Sequence, residues 1–169
     1  PVFGSEYRRD QINSVTFLDT TADIPEDAWD VSEYRNGSVM AWIEPDGAKY
    51  DLYIGAEGGI WAGTSCRSMF AGYENATSIS FGDAFHTVGV IDMDSMFSWC
   101  TALTELNLSS FNTSTVMDMR GMFYACEALT DLNLSNFDTA EVRDLSFMFS
   151  WCESLTELDL RNFDTSNVQ

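Results

Sequence analysis

The C-terminal part of the chain repeats itself every 26 residues, and this period constrains the fold more than any other feature. The pairs Met96-Phe97, Met122-Phe123 and Met148-Phe149 recur at that step, as do Cys100, Cys126 and Cys152. So do Leu103, Leu129 and Leu155, then Leu106, Leu132 and Leu158, then Leu108, Leu134 and Leu160. Phe111, Phe137 and Phe163 follow, with Thr113, Thr139 and Thr165, and Val116, Val142 and Val168. A degenerate copy lies upstream: Met69-Phe70 precedes Met96-Phe97 by 27 residues, whereas Phe85, Thr87, Val90 and Met93 keep the 26-residue step. The extra residue falls within residues 81–84, where Gly82 suits a bulge. A unit of this size cannot bury its apolar face alone, so it must stack on its neighbours.

Each unit reads M-F-x-x-C-x-x-L-T-x-L-x-L-x-x-F-x-T-x-x-V, and its L-x-x-L-x-L centre is the leucine-rich-repeat pattern. Leu106 and Leu108 are two apart, so on a strand they share one face, with Glu105, Asn107 and Ser109 on the other. Copies stacked about 4.8 Å apart would form a parallel sheet over a leucine column. Phe111, Phe137 and Phe163 stand where many such repeats carry an asparagine ladder, so an aromatic spine is expected at the corner. Asp92, Asp118 and Asp144 are good N-caps, each expected to start a short helical turn running into the Met-Phe pair. The expected fold is a right-handed leucine-rich-repeat solenoid, with one parallel strand and one short helical turn per repeat.

Residues 1–65 do not repeat. Residues 38–44 and 49–54 flank Pro45-Asp46-Gly47, which predicts a hairpin. Residues 12–18 read as a further strand and residues 24–31 as a short helix begun near Pro25. This segment is expected to be a β-rich N-terminal cap on residues 66–169, which hold one degenerate and three regular repeats, the last incomplete. With no matching C-terminal cap, the last repeat is an open edge, so continuation past Gln169 and edge-to-edge self-association are expected.

The 27 acidic residues outnumber the 8 basic ones, giving a formal net charge of −19. That balance disfavours nucleic acid and anionic membrane surfaces and favours cationic partners or metal ions. No apolar run reaches the roughly 18–20 residues that span a bilayer. No charged-then-apolar leader opens the sequence, so a signal peptide and an anchor are expected outside this stretch.

The repeat resembles that of BspA-like leucine-rich-repeat surface proteins of bacteria, most clearly in MFSWCESLTELDLRNFDTSNV at residues 148–168. The run WIEPDGAKYDLYIGAEGGIWAG at residues 42–63 is similar to the segment that precedes such repeats. Tyr73 in place of the repeat cysteine and Asn112 in place of the Asp of F-D-T-S are departures. The resemblance implies a secreted or wall-attached bacterial adhesion module that binds a protein, such as a host surface or matrix protein. A spacer solenoid presenting another domain is the alternative, and a carbohydrate-active enzyme a poor third.

The expected binding face carries Glu105, Asn107 and Ser109, then Asp131, Asn133 and Ser135, then Glu157, Asp159 and Arg161. It reads either as a concave acidic strip for a basic partner or cation, or as a wet polar face with no ligand. Stacked carboxylates about 5 Å apart repel by roughly 0.8 kcal/mol in water, which a solvated face tolerates. Cys100, Cys126 and Cys152 are expected as an inward column of free thiols, with one disulfide as the alternative: adjacent rungs bring the Cα atoms near disulfide range, but side chains stacked in parallel rarely meet the required geometry, and a 26-residue spacing does not suit a metal site. Asn112, Asp138 and Asp164 are expected to hold turns by local hydrogen bonds, with Ca²⁺ binding as the alternative. Trp99 and Trp151 are either outward anchors for a partner or packing elements. His86 has no nucleophile at motif spacing, and G-x-S-x-G, H-E-x-x-H and P-loop patterns are absent. No enzyme activity, cofactor or catalytic residue is expected.

Overall fold

In the segment INSVTFL, Val15 and Phe17 alternate inward and Ile12 joins them across an irregularity in register, and this strand is interior to the N-terminal sheet, paired on both sides. In the computed structural model, which describes residues 2–169, a 3-10 turn at Arg9–Gln11 leads into β1 (Ile12–Leu18). β2 (Trp29–Asp30), β3 (Met40–Asp46) and β4 (Lys49–Gly55) follow, then β5 (Ile60–Trp61), β6 (Ser78–Ser80) and β7 (Phe85–His86). The main sheet is open and mixed, in the order β2-β3-β4-β1-β6, with β5 and β7 forming a separate parallel pair. β1 lies parallel to both β4 and β6, while β3 and β4 form the expected hairpin.

The hairpin turn is Gly47-Ala48, one step later than the sequence predicts, because Asp46 pairs with Lys49 and Pro45 with Tyr50. Pro45 is tolerated there because β2 reaches only Met40 and Ala41, leaving the outer edge of β3 free where proline lacks its N–H. Across the hairpin Trp42 stacks on Tyr53 with ring centroids 5.6 Å apart. Gly55 is fixed by space: a Cβ there would lie 2.5 Å from the Thr20 carbonyl oxygen. The expected helix over residues 24–31 is replaced by a turn, closed by Ala28 N–H to the Pro25 carbonyl, and by β2.

The expectation of a right-handed leucine-rich-repeat solenoid, with a parallel strand and a short helical turn in every repeat, is overturned. Among the described residues the only helical segment is the 3-10 turn at Arg9–Gln11, outside the repeats, and no strand falls in residues 92–169. The units stack instead as turn-built rungs, tied by single parallel bridges: Ser65 to Asp92, Asp92 to Asp118, Asp118 to Asp144, and Ser78 to Glu105 to Asp131.

Two causes account for the difference. Each rung holds two residues at left-handed φ, four apart, which an α-helix does not admit: Ser95 (57°) and Trp99 (63°), Gly121 (54°) and Ala125 (57°), Phe147 (60°) and Trp151 (64°). Alternate backbone N–H groups then take different partners. Those of Met96, Ser98 and Cys100 close turns onto Met93, Ser95 and Phe97 of their own rung. Those of Met93, Ser95, Phe97 and Trp99 donate to Asp118, Arg120, Met122 and Tyr124 of the next, at 2.8–2.9 Å. The same alternation joins residues 66–72 to 92–98 and residues 119–125 to 144–150. At the leucines, the contacts between rungs are long (Thr130 N–H to the Thr104 carbonyl, 3.4 Å), and the pairing never extends into a strand.

The apolar interior is continuous from Val2 to Met148. Phe70, Phe97, Phe123 and Phe149 form a ring stack with neighbouring centroids 5.6–5.7 Å apart. Leu106, Leu108, Leu132 and Leu134 are buried, and Phe111 and Phe137 line the far corner. Gly82 takes left-handed φ in a turn closed by Ala84 N–H to the Phe81 carbonyl, where the extra residue of the degenerate copy is absorbed. Arg9 docks the N-terminal segment on the first rung: its guanidinium donates to the Ser68 carbonyl (3.0 Å) and the Ala71 carbonyl and covers the Tyr73 ring.

Candidate functional site

The repeat residues that point away from the leucine column share one face. Glu105, Asn107, Ser109, Asp131, Asn133, Ser135, Glu157, Asp159 and Arg161 are all exposed. They line two adjoining shallow depressions, the larger about 900 Å³ and bounded by the last two rungs. Glu105 and Asp131 are direct bridge partners on neighbouring rungs.

The nine residues divide by task. The side-chain oxygens of Asn107, Asn133 and Asp159 accept from the N–H of Ser109 (3.0 Å), Ser135 (3.0 Å) and Arg161 (3.1 Å), so they hold turns. Asp159 also pairs with the Arg161 guanidinium at 2.5 Å, and that hydrogen bond holds its carboxyl down at about 2. The pair neutralises itself. Glu105, Asp131 and Glu157 remain as acidic side chains with no ion-pair partner among the described residues.

A second acidic column, which sequence reasoning treated only as helix caps, runs through Asp92, Asp118 and Asp144. Each accepts from the N–H two residues on, at Asp94, Arg120 and Ser146. Arg67 clamps the top of the column, 2.5 Å from Asp94 and 3.9 Å from Asp92. Burial, reinforced by Asp94, Asp144 and Asp92, raises the Asp118 carboxyl above its ordinary value. Asn112, Asp138 and Asp164 accept from the N–H groups of Ser114, Ala140 and Ser166, so their oxygens are committed to turns. Among the described residues no group of three or more His, Cys, Asp and Glu is placed to hold a metal ion.

The thiols and threonines bind rung to rung. Cys100, Cys126 and Cys152 donate to the carbonyls of Phe70 (3.2 Å), Phe97 (3.3 Å) and Phe123 (3.1 Å). All four cysteines are free, and burial pushes the thiols of Cys66 and Cys100 up to about 12. The buried hydroxyls of Thr87, Thr113 and Thr139 each donate to a carbonyl and accept from the N–H of a single residue one rung on. Asn136 and Asn162, each beside a corner phenylalanine, bracket two carbonyls of the preceding rung, so an asparagine ladder accompanies the aromatic spine. The recurrence of threonine one rung apart was the available signal for the first; for the asparagines, two copies gave too little. His86 lies against Trp61, ring centroids 4.4 Å apart, on the β5–β7 pair.

Among the described residues no helix is long and apolar enough to cross a membrane. No curated protein and no solved structure matches the chain. The resemblance to BspA-like surface proteins does not survive: the rungs lack the helix and strand of a leucine-rich repeat, and the family that matches is another one. The leucine-rich-repeat adhesion module and its spacer alternative lose their structural basis with it. Residues 64–169, more than half of the chain, match the family described as "Mycoplasma protein of unknown function, DUF285", and the chain belongs to it.

Proposed function

We propose that the chain is a non-enzymatic protein-binding surface whose acidic column of Glu105, Asp131 and Glu157 engages a basic protein partner. The observation that carries this reading is the bridge between Glu105 and Asp131. The bridge sets these two exposed acidic residues on adjacent rungs with no basic side chain paired to either among the described residues, and like charges on neighbouring paired chains are unfavourable. A cationic partner would relieve that repulsion, and the net charge of −19 would steer its approach. An extracellular location is part of the same proposal. The burial of Cys66, Cys100 and Cys126 is compatible with it, since it shields those thiols from oxidation.

The test is capture of a cationic protein such as cytochrome c at low and high salt. Glu105→Lys with Asp131→Lys should abolish salt-sensitive capture. Glu26→Lys with Asp27→Lys, which changes the net charge equally on the N-terminal segment, should leave most of it. Equal loss in both variants would reduce the effect to overall charge and remove the face as a site.

A second reading concerns the last rung. The N–H groups of Leu145, Phe147, Phe149 and Trp151 occupy the positions that donate to the next rung elsewhere, and here they meet no acceptor among the described residues. Beside them Leu145, Met148, Phe149, Leu160 and Phe163 line an apolar depression of about 490 Å³. Within residues 2–169 such an edge is a template for self-association, and a further rung after residue 169 would cover it. Sedimentation over a concentration series would show it, and a protein that stays monomeric throughout would exclude it.

A further inference from the structure

We propose that the aromatic edge formed by Trp99, Tyr124, Phe147 and Trp151 is a docking surface for an arginine-rich polypeptide segment, with guanidinium groups lying on the exposed indole faces. This surface lies at the left-handed turns of the rungs, apart from the acidic column, and stands without it.

The exposure of these rings does not serve the core. Trp99, Phe147 and Trp151 are 50%, 58% and 63% exposed. Each holds a left-handed φ, of 63°, 60° and 64°, against the preference of a bulky side chain. The matching positions in other rungs show what the backbone prefers. Gly72 and Ala125 stand at the level of the tryptophans, and Ser95 and Gly121 at the level of Phe147. Large aromatic groups held in solvent at positions suited to glycine are what a recognition surface requires and a packing layer does not.

The molecule already displays the mode of binding. Arg120 lays its guanidinium over the exposed Phe147 ring, 5.7 Å from the centroid. Arg120, Tyr124 and Phe147 line one depression, and the Trp99 ring meets Tyr124 edge-on with centroids 5.7 Å apart, so Trp99, Tyr124 and Phe147 form one continuous edge. Trp99 and Trp151 lie two rungs apart, about 10 Å at the spacing of paired chains. Ala125 occupies the rung between them, so no indole fills that level. The interval matches side chains three residues apart on a polyproline II segment, which rises about 9 Å per turn and returns every third side chain to the same side.

Charge selects the occupant. Glu127 and Glu153 are exposed two residues beyond Ala125 and Trp151, in a chain of net charge −19. A planar guanidinium can stack on the ring and still donate to these carboxylates, which a compact ammonium does less well.

The test follows the indole N–H resonances of the intact chain as a synthetic octa-arginine peptide is added, with octa-lysine for comparison. The expected result is that octa-arginine shifts the Trp99 and Trp151 signals and that Trp99→Gly with Trp151→Gly weakens its affinity roughly tenfold or more. That variant should melt no lower than the parent, since glycine suits the left-handed φ. The Glu105→Lys, Asp131→Lys variant should retain the indole shifts, which separates this edge from the acidic column. The proposal is overturned by unchanged affinity in the glycine variant, by equal affinity for octa-lysine, or by a marked fall in its melting temperature, which would make the rings structural.

Discussion

The hydroxyl of Thr113 donates to the Asp138 carbonyl and accepts from the Asp138 N–H, each at 2.9 Å, so one side chain replaces a backbone pair between two rungs. Thr113 is almost wholly buried, and Thr113→Val strands both groups of Asp138. Denaturant unfolding should show a loss of about 2 kcal/mol, with Thr113→Ser recovering most of it. Thr165 holds the same place in the last rung, is exposed, and has no rung to bond, so Thr165→Val should change stability by less than about 0.5 kcal/mol.

Arg9 joins the N-terminal segment to the first rung through the carbonyls of Ser68 and Ala71. Arg9→Ala removes a charged donor from two carbonyls and a cation from the face of Tyr73. The expected loss is roughly 2–3 kcal/mol. Limited proteolysis should then cut the first residues of the chain before the rungs open.

The buried thiols give the protein an alkaline weakness. Burial lifts the thiols of Cys66 and Cys100 to about 12 and that of Cys126 further in the same direction. The folded chain keeps these protons where the unfolded chain releases them, so stability is complete below the unfolded value near 8.5 and falls as pH rises above it. The slope approaches about 1.4 kcal/mol per pH unit for each buried thiol. Unfolding midpoints between pH 8 and 11 should fall in the parent and fall less in Cys100→Ala with Cys126→Ala. Cys152 is only half-buried and should be the first to react with a thiol reagent at pH 8.

Asp118 lies between Asp92 and Asp144, and burial and these neighbours raise its carboxyl. A raised carboxyl in the folded state means a charge held at a cost near neutral pH and relieved as pH falls through its folded value. Asp118→Asn keeps an oxygen for the Arg120 N–H, now 2.9 Å away, and removes the charge. It should raise stability at pH 7 by up to about 1 kcal/mol, with the gain disappearing at low pH in a thermal melt series.

The sequence made the stacking interval legible and left the shape of the rung hidden. Recurrence of Met, Phe, Cys, Leu and Thr at 26 residues identifies which residues meet across rungs, and the ring stack of Phe97, Phe123 and Phe149 follows that interval. Asp92, Asp118 and Asp144 pointed to a helix start because an Asx turn and an N-cap begin with the same hydrogen bond. What ends the resemblance is left-handed φ three and seven residues on, carried in one rung by Ser95 and Trp99, neither of which announces it. Gly121 and Gly72 at the matching positions were the only trace in the sequence. At the candidate face, outward direction followed from the spacing of the leucines, but the engagement of Asn107, Asn133 and Asp159 in turns depended on a backbone that alternation alone does not define.

Amide hydrogen exchange resolved by residue tests the turn-built rung most directly. The N–H groups of Met93, Ser95, Phe97 and Trp99 donate to the next rung, whereas those of Leu145, Phe147, Phe149 and Trp151 have no rung to receive them. The predicted result is strong protection of the first set and fast exchange of the second, with Met148, Ser150 and Cys152 protected by their own turns. Equal protection of both sets, as internal helical bonds would give, would contradict it.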